Sequence, residues 1–326
     1  SGHPSNQLFQ IEKGTSGKAR NPNRQIPTEK VVEILSDAAD MGVKGVQFTG
    51  GGEPTIHPDF VKLMAIAQSL SLDTALVTNG RELRHEAVRE VARNTVWTRI
   101  SIDASTPESY CNERGVSRGH WRDMVYGATS LLYEARQEKS DIEIGAGFVV
   151  TPRNYTEIRD AVALYKAMGF HHVRIGLMFN PDDAAPFRPI WDEVRDQADA
   201  AVELADDEFN VIDRTQQRFD EFEGMGDGAI DYETCHFQHF TNYIGADLNV
   251  YRCCQWAYSP RGLMGSIREV GLRKFYDSQA RADDVNSFRA SACGKCQFNA
   301  TNKAVAACLA GEVPMMDQEP EHSAFV

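Results

Sequence analysis

Hydrophobic and polar positions divide most of the chain into two alternating kinds of segment. Short apolar runs, which predict strands, occur at 43–49, 74–78, 96–102, 142–150 and 172–178. The intervening segments predict helices, at 31–41, 60–70, 83–93, 121–136, 154–168 and 190–205. Strands that alternate in this way with helices predict an α/β fold built on a parallel sheet or barrel.

The alternation is predicted to stop near Arg214. A glycine-bearing acidic stretch at 219–231 is interpreted as a linker or lid, and short hairpin-like pieces and a helix near 300–309 follow it. Six of the seven cysteines lie in this later part. The change in composition predicts two domains, at 1–214 and 215–326.

Composition and charge narrow the range of functions. The 326 residues are 42% hydrophobic and 25% charged, which is ordinary for a globular chain with a core. No apolar run reaches about 18 residues, so we expect no membrane association and no hydrophobic signal sequence. A net charge of −13 repels polyphosphate, which makes nucleic acid an unexpected partner. The odd number of cysteines indicates reduced thiols and a cytoplasmic location.

Three predicted strands end in residues suited to binding a ligand. Glycines after the first strand let the backbone approach a ligand closely, and a glutamate there adds a carboxylate. The serine and aspartate near the end of the third strand alternate with apolar residues, so we expect them to share a face and to reach neighbouring ribose hydroxyls. The alternative is that each is a plain turn between strand and helix. The residues are Gly51, Gly52 and Glu53, then Thr78 and Asn79, then Ser101 and Asp103.

The segments FTGGGEPTIHPDF (48–60), ALVTNGREL (75–83) and RISIDASTPESY (99–110) resemble the radical S-adenosylmethionine (SAM) superfamily. The resemblance implies a partial TIM-like (β/α)6 barrel that binds SAM. It implies that the GGE turn holds the methionine amino group and that the serine and acidic residue contact the ribose. The SAM-binding residues it implies are Gly51, Gly52, Glu53, Thr78, Asn79, Ser101 and Asp103.

The chain departs from the family in one respect, because the CxxxCxxC loop that holds the SAM-binding [4Fe–4S] cluster is absent. No cysteine precedes Cys111, and Ser1, Ser5 and Leu8 stand in the phase of that loop. The family's first barrel strand precedes the loop, so we expect the barrel to lack that strand here. The sequence is therefore interpreted either as partial or as unable to perform the family's reaction.

A second group of cysteines has the spacing of a metal site. Cys235 and Cys253 are separated by 17 residues, and Cys293 and Cys296 form a CxxC. Four thiolates suit zinc or an iron–sulfur cluster about equally. Beside the barrel, the spacing resembles the twitch domain, a shortened SPASM domain with one auxiliary [4Fe–4S] cluster, as in enzymes of the 2-deoxy-scyllo-inosamine dehydrogenase type. Cys254 is expected to point to the opposite face.

The resemblance implies a radical SAM enzyme that cleaves SAM reductively and abstracts hydrogen through a 5′-deoxyadenosyl radical. Four cysteine ligands leave the auxiliary cluster no open iron, so we expect it to accept an electron while a small-molecule carbon is oxidised. One alternative is a peptide-modifying maturase, and another is a non-catalytic barrel with structural zinc. The expected partners are a small-molecule or peptide substrate and a reductant such as flavodoxin or ferredoxin. No catalytic residue is identified.

Overall fold

The residues described by the computed structural model, 25–179, 184–225 and 229–312, contain a six-stranded parallel sheet whose strands are neighbours in chain order. Five of these strands are the predicted ones. The sixth, β6, was missed because its apolar core is only two residues long. The strands are β1 Gly45–Phe48, β2 Asp73–Thr78, β3 Trp97–Ser101, β4 Glu143–Val150, β5 His172–Leu177 and β6 Asn210–Asp213.

Helices follow the strands throughout this sheet. Because each crossover returns the chain to the same end of a parallel strand, the order matches the predicted partial TIM-like (β/α)6 barrel. Within the described ranges β1 pairs with β2 alone, while Ser1, Ser5 and Leu8 lie outside those ranges. The helices are α1 Thr28–Asp40, α2 Phe60–Ser69, α3 His85–Asn94, α4 Pro107–Arg114, α5 Arg118–Glu138, α6 Ile158–Met168, α7 Trp191–Val202 and α8 Thr215–Glu223.

The two faces of the sheet differ in polarity. On β3, Thr98 and Ile100 are fully buried and face the helices, where Ile100 joins the main hydrophobic core. The alternating positions Trp97, Arg99 and Ser101 are only partly buried and point to the other face. That second face, the barrel interior, is therefore partly buried and carries polar groups.

Helix α5 packs directly on the turn that follows β2. A Cβ added at Gly127 would lie 1.9 Å from the carbonyl oxygen of Gly80 and 3.2 Å from Cβ of Leu83. Only glycine allows this approach, so Gly127 fixes the position of the Thr78–Asn79–Gly80 turn.

We predict that Gly127→Ala lowers the free energy of unfolding by roughly 1–3 kcal/mol, because the added methyl group forces backbone apart in a packed core. Gly119→Ala is the matched control in the same helix, since its Cβ would meet only the Ser117 hydroxyl at 3.6 Å. Urea denaturation of both variants measures the difference. Equal stabilities for the two variants would contradict the close approach.

Helix α8 corrects the predicted linker, because residues 219–223 are helical. Phe222 packs in the main core, with its ring centroid 6.3 Å from that of Phe187, and Phe219 stacks on Trp191 at 4.0 Å. The acidic composition of this segment concealed two phenylalanines spaced for one helix face. The domain boundary at 214 stays a prediction, and α8 packs with the barrel.

The remaining described residues, 229–312, form small elements around a second hydrophobic cluster. Strands β7 Tyr243–Ile244, β8 Asn249–Tyr251 and β9 Leu263–Ser266 make an antiparallel sheet. Their core includes Val250 and Phe275 and reaches Ala38 of α1. No helix in the described ranges has both the length and the apolar character to cross a membrane. The helices here are α9 Phe237–Phe240, α10 Leu272–Tyr276, α11 Gln279–Ser287 and α12 Asn299–Leu309.

Candidate functional site

The Glu53 carboxylate joins the turns that follow β1 and β2. Its Oε1 accepts hydrogen bonds from the hydroxyls of Thr55 and Thr78, each at 2.6 Å. Its Oε2 accepts from the backbone N–H of Asn79 at 2.7 Å. The structure thus brings three of the predicted site residues together. The Glu53 carboxylate and the buried Thr78 hydroxyl therefore hold the turns after β1 and β2 in place.

The glycine turn beside Glu53 is exposed. A Cβ at Gly52 would meet no atom within 4 Å, so the backbone there is accessible to a ligand. The hydroxyl of Tyr243 lies beside this turn, where the Gly51 backbone opposes the rise that burial causes in the pKa of Tyr243. The sequence did not predict this contact. The two residues are 192 positions apart, and the pattern around Tyr243 does not indicate that it lies near the glycine turn. The peptide groups of Gly51 and Gly52 stay the predicted ligands of the methionine end of SAM.

Asp103 departs from the strand alternation expected for it. Strand β3 ends at Ser101, the N–H groups of Ile102 and Asp103 both donate to the Gly147 carbonyl, and Asp103 has φ of 62°. Its carboxylate is buried, where it accepts from Arg114 at 2.7 Å and from the Val149 N–H at 2.9 Å. Ser101 is half-buried on the barrel interior. Ser101 therefore remains open to a ribose, and Asp103 is held by protein groups.

The cysteines of the predicted metal site line one cavity. Phe237, Trp256, Phe288 and Phe298 form much of its wall. No three His, Cys, Asp or Glu side chains in the described ranges converge closely enough to hold a single metal ion. All four predicted ligands nevertheless border this one cavity. They are Cys235, Cys253, Cys293 and Cys296.

Burial and hydrogen bonding act on these thiols in opposite directions. Desolvation raises the pKa of all four, that of Cys293 to about 12. Nearby backbone N–H groups donate to three of the sulfurs and oppose this rise. The donors are Phe237 and Gln238 to Cys235, Gln255 and Trp256 to Cys253, and Phe298 to Cys296.

This environment fits a thiolate-bound cluster. N–H groups directed at sulfur stabilise the anionic ligand and tune an iron–sulfur cluster, and aromatic walls limit the access of water. The indole N–H of Trp256 lowers the pKa of Cys293 but is buried without a hydrogen bond of normal geometry to any described group, so it is available to a bound cluster. The Asn302 amide lies 3.8 Å from the Cys296 sulfur. The cavity therefore suits a [4Fe–4S] cluster held by its four cysteines, and their role as ligands stays a prediction.

Cys254 points away from this cavity, as its position next to Cys253 predicts. Its sulfur accepts a hydrogen bond from the Gln297 amide at 3.2 Å and lies in the electrostatic field of Arg99 and Arg218. The residue is exposed, while burial of its sulfur raises the pKa of the thiol. Cys254 consequently belongs to the barrel side of the C-terminal region.

Comparison with known proteins agrees with this architecture. A family model described as the radical SAM superfamily matches residues 10–185. Mycofactocin maturase MftC from Mycobacterium ulcerans (strain Agy99) is 30% identical over 200 residues, covering 59% of this chain and 48% of that protein. PqqA peptide cyclase from Gluconobacter oxydans (strain 621H) is 30% identical over 152 residues, covering 46% and 40%. The match therefore spans less than half the length of these two relatives.

Solved structures share the fold. Streptococcus suis SuiB superposes with a TM-score of 0.58 at 16% identity, covering 80% of this chain and 61% of SuiB. SuiB has also been solved bound to the precursor peptide SuiA. The family match extends over more than half of the chain and includes the three strand-end motifs. The chain belongs to the radical SAM superfamily, whose members use SAM and [4Fe–4S] clusters.

Proposed function

We propose that this chain serves a radical SAM reaction on a peptide substrate. The observation that carries the proposal is that the relatives found by sequence include a maturase and a peptide cyclase. The SuiB structure with its precursor peptide supports the same substrate class. This choice replaces the first expectation, small-molecule oxidation, which rests on the cysteine spacing and on the full set of four ligands.

In this proposal the strand ends hold SAM and the C-terminal region holds one auxiliary cluster. Glu53 fixes two turns, the peptide groups of Gly51 and Gly52 bind the methionine amine, and the Ser101 hydroxyl binds the ribose. When bound in the cysteine cavity, a [4Fe–4S] cluster supplies one-electron transfer. A reductant such as flavodoxin or ferredoxin is part of the proposal.

The SAM-binding cluster does not fit residues 1–110, because they contain no cysteine. The substitutions Ser1→Cys, Ser5→Cys and Leu8→Cys would create a CxxxCxxC at the phase noted above. This triple variant supplies the thiolates that the family uses and provides a second protein for the assay.

The test is mass spectrometry after anaerobic incubation of both proteins, reconstituted with iron and sulfide, with SAM, dithionite and short peptides encoded beside the gene. We expect one peptide to change mass as 5′-deoxyadenosine forms in the triple variant, which carries the thiolates for the SAM-binding cluster. An oxidised sugar or cyclitol, with every peptide unchanged, would support small-molecule oxidation and overturn the proposal. If no peptide changes mass and no 5′-deoxyadenosine forms in either protein, the proposal is overturned as well.

A further inference from the structure

Several arginines converge on the interior of the barrel, below the predicted SAM turns. Arg99 lies on β3, Arg174 on β5, Arg214 directly after β6 and Arg218 on α8. Arg174 is close enough to the other three for their positive charges to lower its pKa, and Cys254 lies near the same guanidinium group. In a chain with a net charge of −13, such a concentration of positive charge inside the fold requires an explanation.

Glycines on the neighbouring strands make room for these side chains. A Cβ at Gly147 would lie 3.6 Å from Cδ of Arg99, so the Arg99 side chain crosses β4 at this glycine. Gly147 is also the register partner of Arg174, so the two arginines approach each other across β4. On β5, a Cβ at Gly176 would lie 3.8 Å from Cβ of Arg214. Strand geometry therefore directs three arginine side chains into one space.

The carboxylates described around these four arginines form one ion pair with them. Arg218 pairs with Glu221 at 2.7 Å, whereas Arg99, Arg174 and Arg214 form no ion pair within the described ranges. Arg99 lies over the ring of Trp97 at 5.7 Å, and Arg214 donates to the neutral side-chain oxygen of Gln217 at 2.5 Å, so neither contact supplies a full negative charge. The Asp103 carboxylate, which attracts Arg99, is bonded to Arg114.

Burial and the neighbouring guanidinium groups lower the pKa of Arg174 to about 9, so the group remains cationic at neutral pH. Holding like charges together away from bulk water is unfavourable unless an anion compensates them. The clustered guanidinium groups therefore favour the binding of an anion.

We propose that Arg99, Arg174 and Arg214 bind an anionic group of the substrate, a carboxylate or a phosphate. Guanidinium groups bind both through paired charge-assisted hydrogen bonds. Arg99 precedes Ser101 by two residues on β3, a rise of about 7 Å, so an anion held there anchors the substrate just below the predicted ribose ligand. The inference rests on the proposed function and specifies its substrate, with an acidic peptide side chain as the carboxylate it favours.

The test is equilibrium binding to the anaerobically reconstituted protein, measured by fluorescence anisotropy. The probes are a labelled, end-capped pentapeptide with central glutamate, the same peptide with glutamine, and inorganic phosphate as competitor. We expect the glutamate peptide to bind roughly 10- to 100-fold more tightly than the glutamine peptide, and Arg99→Gln and Arg174→Gln to remove that preference. Arg195→Gln, on the exposed surface of α7, should keep it.

Competition by inorganic phosphate distinguishes a peptide carboxylate from a phosphorylated substrate as the source of the anion. Arginine-dependent binding of phosphate without a preference for glutamate would support the site and assign it to a phosphorylated substrate. If neither probe distinguishes wild type from both arginine variants, the inference is overturned.

Thermal unfolding provides a readout that a structural role would move. Removing one repelling cation should leave the unfolding midpoint of Arg174→Gln unchanged or raised, whereas a clear fall in midpoint with unchanged anion binding would overturn the inference. The binding assay does not depend on turnover. If the arginines are needed for binding but no peptide is modified, only the proposed function is overturned.

Discussion

Serine substitutions at Cys235, Cys253, Cys293 or Cys296 are expected to abolish the auxiliary cluster. Wild-type protein reconstituted anaerobically should bind about 4 iron atoms in this cavity, because four thiolates hold one [4Fe–4S] cluster. Each variant should lose most of that iron and its acid-labile sulfide, since a cluster with a missing ligand in an apolar pocket is open to attack.

Cys254→Ser is the matched control, because its thiol is adjacent in sequence and faces the barrel interior. Iron and sulfide analysis, with the absorption near ~400 nm that iron–sulfur clusters show, measures all five variants. Wild-type iron content in the four variants would contradict the ligand assignment. One zinc per chain without sulfide would instead support the structural zinc alternative.

Glu53→Gln is expected to weaken SAM binding roughly tenfold or more and to lower the free energy of unfolding by about 1–3 kcal/mol. The carboxylate receives hydrogen bonds from N–H or O–H groups of Thr55, Thr78 and Asn79. A glutamine amide offers one oxygen and places an NH2 group against a donor, so one partner loses its acceptor.

Glu108→Gln is the control for this charge change, because Glu108 is exposed and pairs with the exposed Arg118. We expect its effect on unfolding to stay within about 0.5 kcal/mol. Isothermal titration calorimetry with SAM and urea denaturation measure the two effects. A Glu53→Gln protein that binds SAM as wild type does would show that the joined turns are not needed for the ligand.

The sequence predicted the barrel well because its strands are apolar and end in distinctive turns. The sequence pattern did not predict elements whose hydrophobic residues are few or lie among acidic ones. Strand β6 has two apolar residues, and in α8 the acidic residues concealed the buried Phe222. In both places tertiary packing, and not local composition, decides the structure.

The residues of the candidate site were predictable from the sequence, but the contacts between them were not. Spacing alone grouped the four cysteines that line one cavity. Strand alternation could not place Asp103, because the backbone changes direction after β3 and buries its carboxylate. The arginines of the barrel interior come from separate elements, so only the folded sheet brings Arg99 and Arg174 together.

A crystal structure of the anaerobically reconstituted protein with SAM, recorded at the iron absorption edge, tests the central claim most directly. We predict an anomalous iron signal within the cavity lined by the four cysteines, and SAM with its methionine end at Gly51 and Gly52 and its ribose at Ser101. SAM bound away from these strand ends, or a cavity that holds zinc and no iron, would contradict the account.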